Sequence, residues 1–159
     1  ADPKKSKIFA KKKPGEPVCE VDLEIDAWLR ERLSALDPKA GWLSEETADA
    51  AARVEQDRLW VVDPIDGTRD YVRGRAGWAV SVALVEHRVP VLGALAAPLR
   101  GELWTAARGR GACRNGERLR ASACRQLAGA RVPAEHLPEE DRDLVPVPKP
   151  NSIALRIAM

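Results

Sequence analysis

The hydrophobic positions in the first part of the chain repeat at the interval of an α-helix. Between residues 18 and 36 an apolar side chain occurs every three or four positions, at Val18, Val21, Ile25, Trp28, Leu29, Leu33 and Leu36. Asp37 and Pro38 follow directly, and proline is common just beyond the end of a helix. The pattern therefore predicts a helix over residues 18–36.

Beyond residue 58 the pattern changes to short apolar runs separated by turn-forming residues. Residues 59–62 read LWVV, which is typical of a strand that is buried on both faces. Further runs follow at intervals of about ten residues, namely GWAVSVALVE, PVLGALAAP, GELWTAARG and GACRNGERL. This spacing predicts a mostly antiparallel sheet, with Asn115-Gly116 as a tight hairpin turn.

The other segments are polar or rich in proline. Residues 44–58 (SEETADAAARVEQDR) predict a loop with a short helix, and residues 135–151 (EHLPEEDRDLVPVPKPN) predict an irregular connection. In the final PNSIALRIAM, Asn151 or Ser152 is suited to cap a new helix. The predicted fold class is therefore α+β: a helix, then an antiparallel sheet, then the beginning of another helical element.

Composition and charge indicate a globular domain and give no reason to expect a nucleic acid or a membrane as partner. The 159 residues are 45% hydrophobic and 31% charged, as in one globular domain. A net charge of +2 gives no overall reason to expect a nucleic acid polymer or a membrane as partner. No apolar stretch approaches the roughly 18 residues of a membrane span. Since the odd number of cysteines (Cys19, Cys113 and Cys124) suits a reducing compartment, we expect a cytoplasmic protein.

The two ends of the sequence predict an incomplete domain. Residues 1–16 are rich in lysine and form a basic segment, which we interpret as a solvated arm, whereas residues 17–159 carry the α+β pattern. The chain starts ADPKK and stops where the apolar residues of its last helix have only begun to repeat. Such a short helix is marginal on its own. We therefore expect a truncated domain whose cut face exposes apolar surface and favours association, for example as a homodimer.

Two aspartates three positions apart follow the predicted buried strand. Asp63 and Asp66 lie in DPIDGT, where Pro64 restricts the backbone and Gly67 permits a turn. Two carboxylates about 4 Å apart repel by about 4 kcal/mol at an effective dielectric of about 20, so we expect a cation between them. Glu45 in WLSEET offers another carboxylate, and Mg²⁺ prefers such oxygen ligands. A plain turn and a helix N-terminus are the alternative interpretations of these two segments.

Several segments, in the same order along the chain, resemble the inositol monophosphatase family. PVCEVD (17–22), LSEE (43–46) and DPIDGT (63–68) resemble its metal-binding segments, and GWAVSVALV (77–85) and GRGACRNGERLRAS (109–122) resemble its core strands and hairpin. The pairing of GWLSEE with DPIDGTRDY is most similar to the bacterial branch that includes 3'(2'),5'-bisphosphate nucleotidases. The resemblance implies the N-terminal half of a layered helix/antiparallel-sheet fold of the sugar-phosphatase type.

The resemblance also implies a role for each matching residue. Asp22 and Thr68 would orient the attacking water, and the backbone amides of Gly67 and Thr68 would hold the substrate phosphate. The ligands of Mg²⁺ would be Glu45, Asp63, Asp66 and the carbonyl of Ile65. Two Mg²⁺ ions about 4 Å apart would then stabilise the attacking and leaving oxygens of an in-line displacement.

The implied function is magnesium-dependent hydrolysis of a small phosphate monoester such as an inositol monophosphate. A bisphosphate nucleotide and a sugar phosphate such as fructose 1,6-bisphosphate stay open as substrates, because these motifs build the metal site and do not rank leaving groups. The family's later Trp-Asp motif has no counterpart in this chain, since Trp78 and Trp104 are followed by Ala79 and Thr105. A non-catalytic, truncated module that binds a metal or a partner therefore stays open as well.

Overall fold

The computed structural model describes residues 8–11, 17–46, 56–123 and 125–159, with side chains described from residue 20 onward. In chain order its elements are β1 (Ile8–Lys11), β2 (Pro17–Cys19), α1 (Glu20–Leu36), β3 (Gly41–Ser44), β4 (Arg58–Asp66), α2 (Thr68–Val72), β5 (Ala79–Glu86), β6 (Val89–Ala97), β7 (Glu102–Ala107), β8 (Gly111–Arg114), β9 (Glu117–Arg118), β10 (Arg131–Pro133), β11 (Val145–Val147) and α3 (Ile153–Ala158). The short helix expected within residues 44–58 falls largely on positions outside the described residues.

A seven-stranded sheet forms the centre of the fold, and its strands β3 to β9 lie side by side in sequence order. The β3–β4 pair is parallel and every other pair in this sheet is antiparallel. The prediction of a mostly antiparallel sheet is therefore confirmed. Two small pairs stand apart from the sheet: β1 with β2, antiparallel, and β10 with β11, parallel. No helix among the described residues is long and apolar enough to cross a membrane.

Helix α1 ends where the sequence predicts but begins two positions later. Residues 17–19 are extended because they pair with β1, with Ile8 opposite Cys19. The side chains that α1 buries most deeply are acidic, since Asp22 is only 1% exposed, whereas Trp28 is 56% exposed. The apolar repeat therefore locates the helix correctly but does not identify its most buried positions.

The central sheet carries helices on both of its faces, as the alternation of side chains along a strand allows. On one face, Leu155 of α3 packs against Ala79, Leu95, Ala97 and Trp104. The neighbouring positions Val80, Val82, Ala94 and Ala96 line an apolar cleft together with Ile25, Trp28 and Leu29 of α1. The result is a layered helix/sheet/helix arrangement, with α3 packed on the face opposite α1.

The predicted hairpin at Asn115-Gly116 is confirmed. Both residues have positive φ angles, 51° and 83°, as a type I′ turn requires. The Asn115 side chain also joins this turn to the preceding hairpin, because its Oδ1 accepts from the Leu103 amide at 2.7 Å and its Nδ2 donates to the Gly101 carbonyl at 2.9 Å. Asn115 therefore combines a tolerated backbone conformation with two cross-hairpin hydrogen bonds.

We expect Asn115→Ala to lower the free energy of unfolding by about 2 kcal/mol, because it removes two hydrogen bonds and places alanine at a positive φ. Urea unfolding followed by circular dichroism measures this loss. Asn115→Gly relieves the backbone strain but still lacks the side-chain bonds, so it should fall between alanine and the unsubstituted chain. An alanine variant as stable as the unsubstituted chain would show that these hydrogen bonds contribute nothing.

Candidate active site

A bulge in strand β4 places the two aspartates of DPIDGT on the same face of the sheet. In a regular strand, residues three apart point to opposite faces. Here the β4–β5 register shifts, so that Asp63 lies opposite Ser81 and Asp66 lies opposite Ala79. The one extra residue in β4 restores the alternation. Asp63 and Asp66 therefore share the face on which α3 packs.

Parallel pairing brings the third carboxylate to the same place. Strand β3 runs beside β4 with Ser44 opposite Val62, so the residue after β3 comes next to Asp63. The Glu45 amide continues the ladder by donating to the Val62 carbonyl at 3.2 Å. The side chain of Glu45 forms a hydrogen bond with that of Asp63. The structure thus brings together Glu45, Asp63 and Asp66, which are the three carboxylates proposed from sequence.

The electrostatics of this cluster centre on Asp63. Burial, followed by the negative charges of Glu45 and Asp66, raises the pKa of Asp63 to about 8. The hydrogen bond that the protonated Asp63 donates to the Glu45 carboxylate raises the pKa further, whereas the Ile65 amide, which donates to Asp63 Oδ1 at 3.1 Å, lowers it. At neutral pH the cluster therefore retains a proton in place of a third negative charge, as is expected where repelling carboxylates lack a compensating cation.

The raised pKa predicts how stability depends on pH in the absence of divalent cations. Between pH 3.8 and about 8 the folded chain keeps a proton on Asp63 that the unfolded chain has released, so the free energy of unfolding falls as the pH rises. Urea unfolding in EDTA at pH 5.5 and pH 8.5 measures this fall. In Asp63→Asn the fall should be smaller, because the contribution of Asp63 is removed and only that of the other titrating groups remains. An identical fall in both proteins would contradict the assignment to Asp63.

The carboxylate of Asp66 is held by residues at the start of α3. Its Oδ2 accepts from Ser152 Oγ at 2.7 Å and from the Ala154 amide at 2.8 Å. Its Oδ1 accepts from the Ile153 amide at 3.1 Å. Ser152 is also the N-cap of α3, because its Oγ accepts from the Leu155 amide at 2.9 Å. The predicted helix cap is thus confirmed at Ser152, and it connects the end of the chain directly to the candidate site.

A second set of contacts fixes the loop that follows Asp66. The buried Asp70 carboxylate accepts from the Asn151 amide at 3.1 Å and from Asn151 Nδ2 at 2.6 Å. Gly67 has φ 92°, and a Cβ built there would lie 2.7 Å from the Ser152 amide nitrogen and 2.9 Å from the Gly77 carbonyl oxygen. Only glycine fits this approach, so the loop and residues 151–152 pack as one unit.

Of the remaining predicted residues, Ile65, Gly67 and Thr68 flank Asp66 in the chain. The Thr68 hydroxyl donates to the Ile65 carbonyl at 3.0 Å, which links one proposed water-orienting group to a proposed metal ligand. Gly67 precedes α2 and Thr68 is its first residue, and the first amides of a helix have no partner within the helix. Asp22 is buried in the first turn of α1. The pairing of Asp22 with Thr68 stays a prediction.

The chemistry of these donors fits a hard divalent cation such as Mg²⁺. Glu45 and Asp63 would exchange their shared proton for the cation, and the Ile65 carbonyl retains a lone pair beside its bond from Thr68. In the part of the chain that the structure describes, however, no three acidic, histidine or cysteine side chains converge as a formed metal site. The Asp66 oxygens accept hydrogen bonds from Ser152, Ile153 and Ala154 at the start of α3.

Sequence reasoning missed the contribution of residues 150–154. The pattern NSIAL indicated a helix cap, but nothing in it pairs Ser152 with Asp66, which lies 86 positions earlier. Such a pairing depends on α3 packing through Leu155 onto the sheet. The helix-cap pattern is a local property of the sequence, whereas the hydrogen bond between Ser152 and Asp66 is determined by tertiary packing.

Comparisons with known proteins agree on one family. A model of the inositol monophosphatase family matches residues 1–149. The chain is 42% identical over 96 residues to a histidinol-phosphatase of Mycobacterium tuberculosis, covering 60% of this chain and 36% of that protein. It is 34% identical over 144 residues to inositol monophosphatase 2 of Solanum lycopersicum (89% and 54%), and 37% identical over 103 residues to the 3'(2'),5'-bisphosphate nucleotidase CysQ of Aggregatibacter actinomycetemcomitans (64% and 38%).

Solved structures give the same result for the fold. The extragenic suppressor protein SuhB of Bartonella henselae superposes with a TM-score of 0.85 at 29% identity, covering 99% of this chain and 65% of that one. An IMPase/NADP phosphatase complexed with Mg²⁺ and phosphate superposes with a TM-score of 0.73 at 26% identity, covering 80% and 49%. The chain thus spans about half the length, or less, of the curated relatives named above.

Proposed function

The chain belongs to the inositol monophosphatase family, and we propose that it carries part of the active site of a magnesium-dependent phosphatase that hydrolyses a small phosphate monoester. The observation that supports this most strongly is the cluster of Glu45, Asp63 and Asp66. Two strand ends and a bulge bring these carboxylates together, and burial followed by the neighbouring negative charges raises the pKa of Asp63 to about 8. A protein gains nothing in stability from such a cluster unless a cation binds to it.

Glu45, Asp63, Asp66 and the Ile65 carbonyl would hold the Mg²⁺ ions. When bound, these ions would stabilise the charge that develops on the attacking and leaving oxygens. The bulged end of β4 would fix the relative positions of Asp63 and Asp66, since both are anchored by the ladder with β5. The stiffness of this strand end supports the role, because ligand geometry must be maintained during turnover.

The backbone amides of Gly67 and Thr68 would bind the substrate phosphate. They lie at the turn into α2, where backbone donors lack helical partners. The positive φ of Gly67 produces this turn, and the contacts with Ser152 and Gly77 hold it in place. Fixed donors at this point would stabilise negative charge on the phosphoryl oxygens without having to reorganise.

Asp22 and Thr68 would orient the attacking water. The Thr68 hydroxyl donates its proton in the hydrogen bond to the Ile65 carbonyl. Its oxygen lone pairs therefore remain to accept a hydrogen bond from a water. Asp22, buried in the first turn of α1, would supply the negative charge that receives or directs a proton.

An inositol monophosphate is our first choice of substrate, and a 3'(2'),5'-bisphosphate nucleotide is the second. Relatives named for inositol monophosphate, bisphosphate nucleotide and histidinol phosphate hydrolysis all match this chain at 34–42% identity. The family model matches residues 1–149, a range that includes the proposed ligands Glu45, Asp63, Ile65 and Asp66, and such ligands would be common to all these phosphatases. They carry no information that separates the leaving groups.

The test is phosphate release from inositol 1-phosphate, 3'-phosphoadenosine 5'-phosphate and histidinol phosphate, with and without Mg²⁺. Both the 159-residue chain and the protein encoded by its whole gene are assayed, each beside Asp63→Asn. Mg²⁺-dependent release that is lost in the variant supports the proposal, and the best substrate identifies the class. If the protein binds the metal but releases phosphate from none of these substrates, the result would instead favour a non-catalytic module.

A further inference from the structure

We propose that Ser152 is a positioning residue for the cation site: it fixes one oxygen of Asp66 and leaves the other oxygen to bind the metal. This inference rests on the proposed function, because it assumes that Asp66 is a ligand. It adds a residue that lies outside the DPIDGT segment and donates a hydrogen bond to Asp66 Oδ2.

The two oxygens of Asp66 are used unequally. Oδ2 accepts two hydrogen bonds, from Ser152 Oγ at 2.7 Å and from the Ala154 amide at 2.8 Å. Oδ1 accepts one, from the Ile153 amide at 3.1 Å. A carboxylate oxygen offers two lone-pair directions, so Oδ2 is fully occupied and Oδ1 retains one. Asp66 can therefore bind a cation through Oδ1 alone, as a monodentate ligand.

Ser152 is itself held firmly, which makes it suitable for orienting a carboxylate. It is fully buried, and its amide donates to the Gly77 carbonyl at 2.8 Å. Its hydroxyl oxygen accepts from the Leu155 amide at 2.9 Å, so the hydroxyl proton is directed to Asp66. Leu155 is also fully buried, in the core cluster on the sheet. The position of the Asp66 carboxylate thus depends on a packed helix end.

Without the Ser152 hydroxyl, the carboxylate would lose its shortest hydrogen bond and would keep only the Ala154 amide on Oδ2 and the Ile153 amide on Oδ1, so it would be oriented less firmly. Partners that orient a metal ligand typically contribute 10- to 100-fold to affinity. We therefore expect Ser152→Ala to weaken Mn²⁺ binding at least about 10-fold. Ser152→Thr should restore it, because threonine keeps the hydroxyl.

The experiment measures Mn²⁺ binding to the metal-free 159-residue chain by electron paramagnetic resonance of the free ion. The Mn²⁺ dissociation constant is a readout that needs no substrate. The variants are Ser152→Ala, Ser152→Gly and Ser152→Thr, each checked for folding by circular dichroism. Glycine is nearly as good an N-cap as serine, so Ser152→Gly removes the bond to Asp66 while keeping the helix start. Ala158→Gly is the control, since it lowers the helix propensity at the last residue of α3 and leaves Leu155, the Ser152 hydroxyl and the Asp66 contacts in place.

The expected result is weaker binding in Ser152→Ala and Ser152→Gly, recovery in Ser152→Thr, and no change in affinity for Ala158→Gly. Equal affinity in all the Ser152 variants, or an equal loss in Ala158→Gly, would overturn the positioning role. Asp63→Asn separates this failure from that of the proposed function. If Asp63→Asn abolishes binding while Ser152→Ala does not, only the inference about Ser152 fails. If the unsubstituted chain binds no Mn²⁺, or Asp63→Asn binds as well, the cation site itself is refuted.

Discussion

Replacing Asp63 by asparagine is expected to abolish the response to Mg²⁺ and, at the same time, to stabilise the metal-free chain at alkaline pH. Burial of Asp63, followed by the negative charges of Glu45 and Asp66, raises the pKa of Asp63 to about 8. Asparagine removes the repulsion that grows as this group ionises, and it also removes the ligand shared by the cluster. Mg²⁺-dependent phosphate release should fall by at least about 100-fold. Loss of a residue that only orients a metal ligand typically costs about 10- to 100-fold, and loss of the ligand itself should cost at least as much.

The same substitution has a stability readout. At a Mg²⁺ concentration about 100 times the dissociation constant, the unsubstituted protein should gain about 2.7 kcal/mol in its free energy of unfolding, and Asp63→Asn should gain nothing. Asp143→Asn, at an exposed position outside the cluster, is the matched control and should respond like the unsubstituted protein. A variant that keeps its Mg²⁺-dependent activity would contradict the role of Asp63.

Gly67→Ala is expected to be the most destabilising single substitution in the DPIDGT loop. The backbone at Gly67 has φ 92°, and an added Cβ would lie 2.7 Å from the Ser152 nitrogen and 2.9 Å from the Gly77 oxygen. Backbone strain of this kind costs of order 1–3 kcal/mol. Since the two close atoms belong to backbone, relief requires residues 151–152 to move away from the loop. We expect a total loss of at least about 3 kcal/mol in the free energy of unfolding.

Gly74 provides the control for this prediction. It also has a positive φ, 65°, but a Cβ built there meets nothing within 4 Å. Gly74→Ala should therefore cost only the conformational strain, about 1–2 kcal/mol. Urea unfolding of both variants gives the difference, which measures the packing of the loop against residues 77 and 152. Equal losses in the two variants would show that this close approach is not needed for stability.

Much of the fold follows from local patterns in the sequence. The run LWVV and the four runs after it predict the antiparallel strands, because alternation and turn residues are local properties. The start of α1 could not be predicted in the same way. Residues 18 and 19 fall within the predicted helix, but their pairing with β1 makes them extended. Long-range pairing thus overrides a local preference at this boundary.

In the candidate site, too, some residues could be predicted from local sequence and others depend on long-range contacts. The carboxylates were predictable from the spacing in DPIDGT and from the resemblance of LSEE, and parallel pairing of β3 with β4 brings them together. The roles of Ser152 and Asn151 were not predictable, because their contacts with Asp66 and Asp70 span more than 80 positions. These contacts exist only once Leu155 is packed on the sheet.

The most direct measurement is a calorimetric titration of Mg²⁺ into the metal-free chain at pH 7.5, alongside Asp63→Asn. If Glu45, Asp63 and Asp66 form the cation site of a phosphatase, the chain binds Mg²⁺ saturably and Asp63→Asn does not. Mg²⁺ binding that is equal in the two proteins, or absent from a chain shown to be folded, would contradict the assignment of this cluster as the metal site.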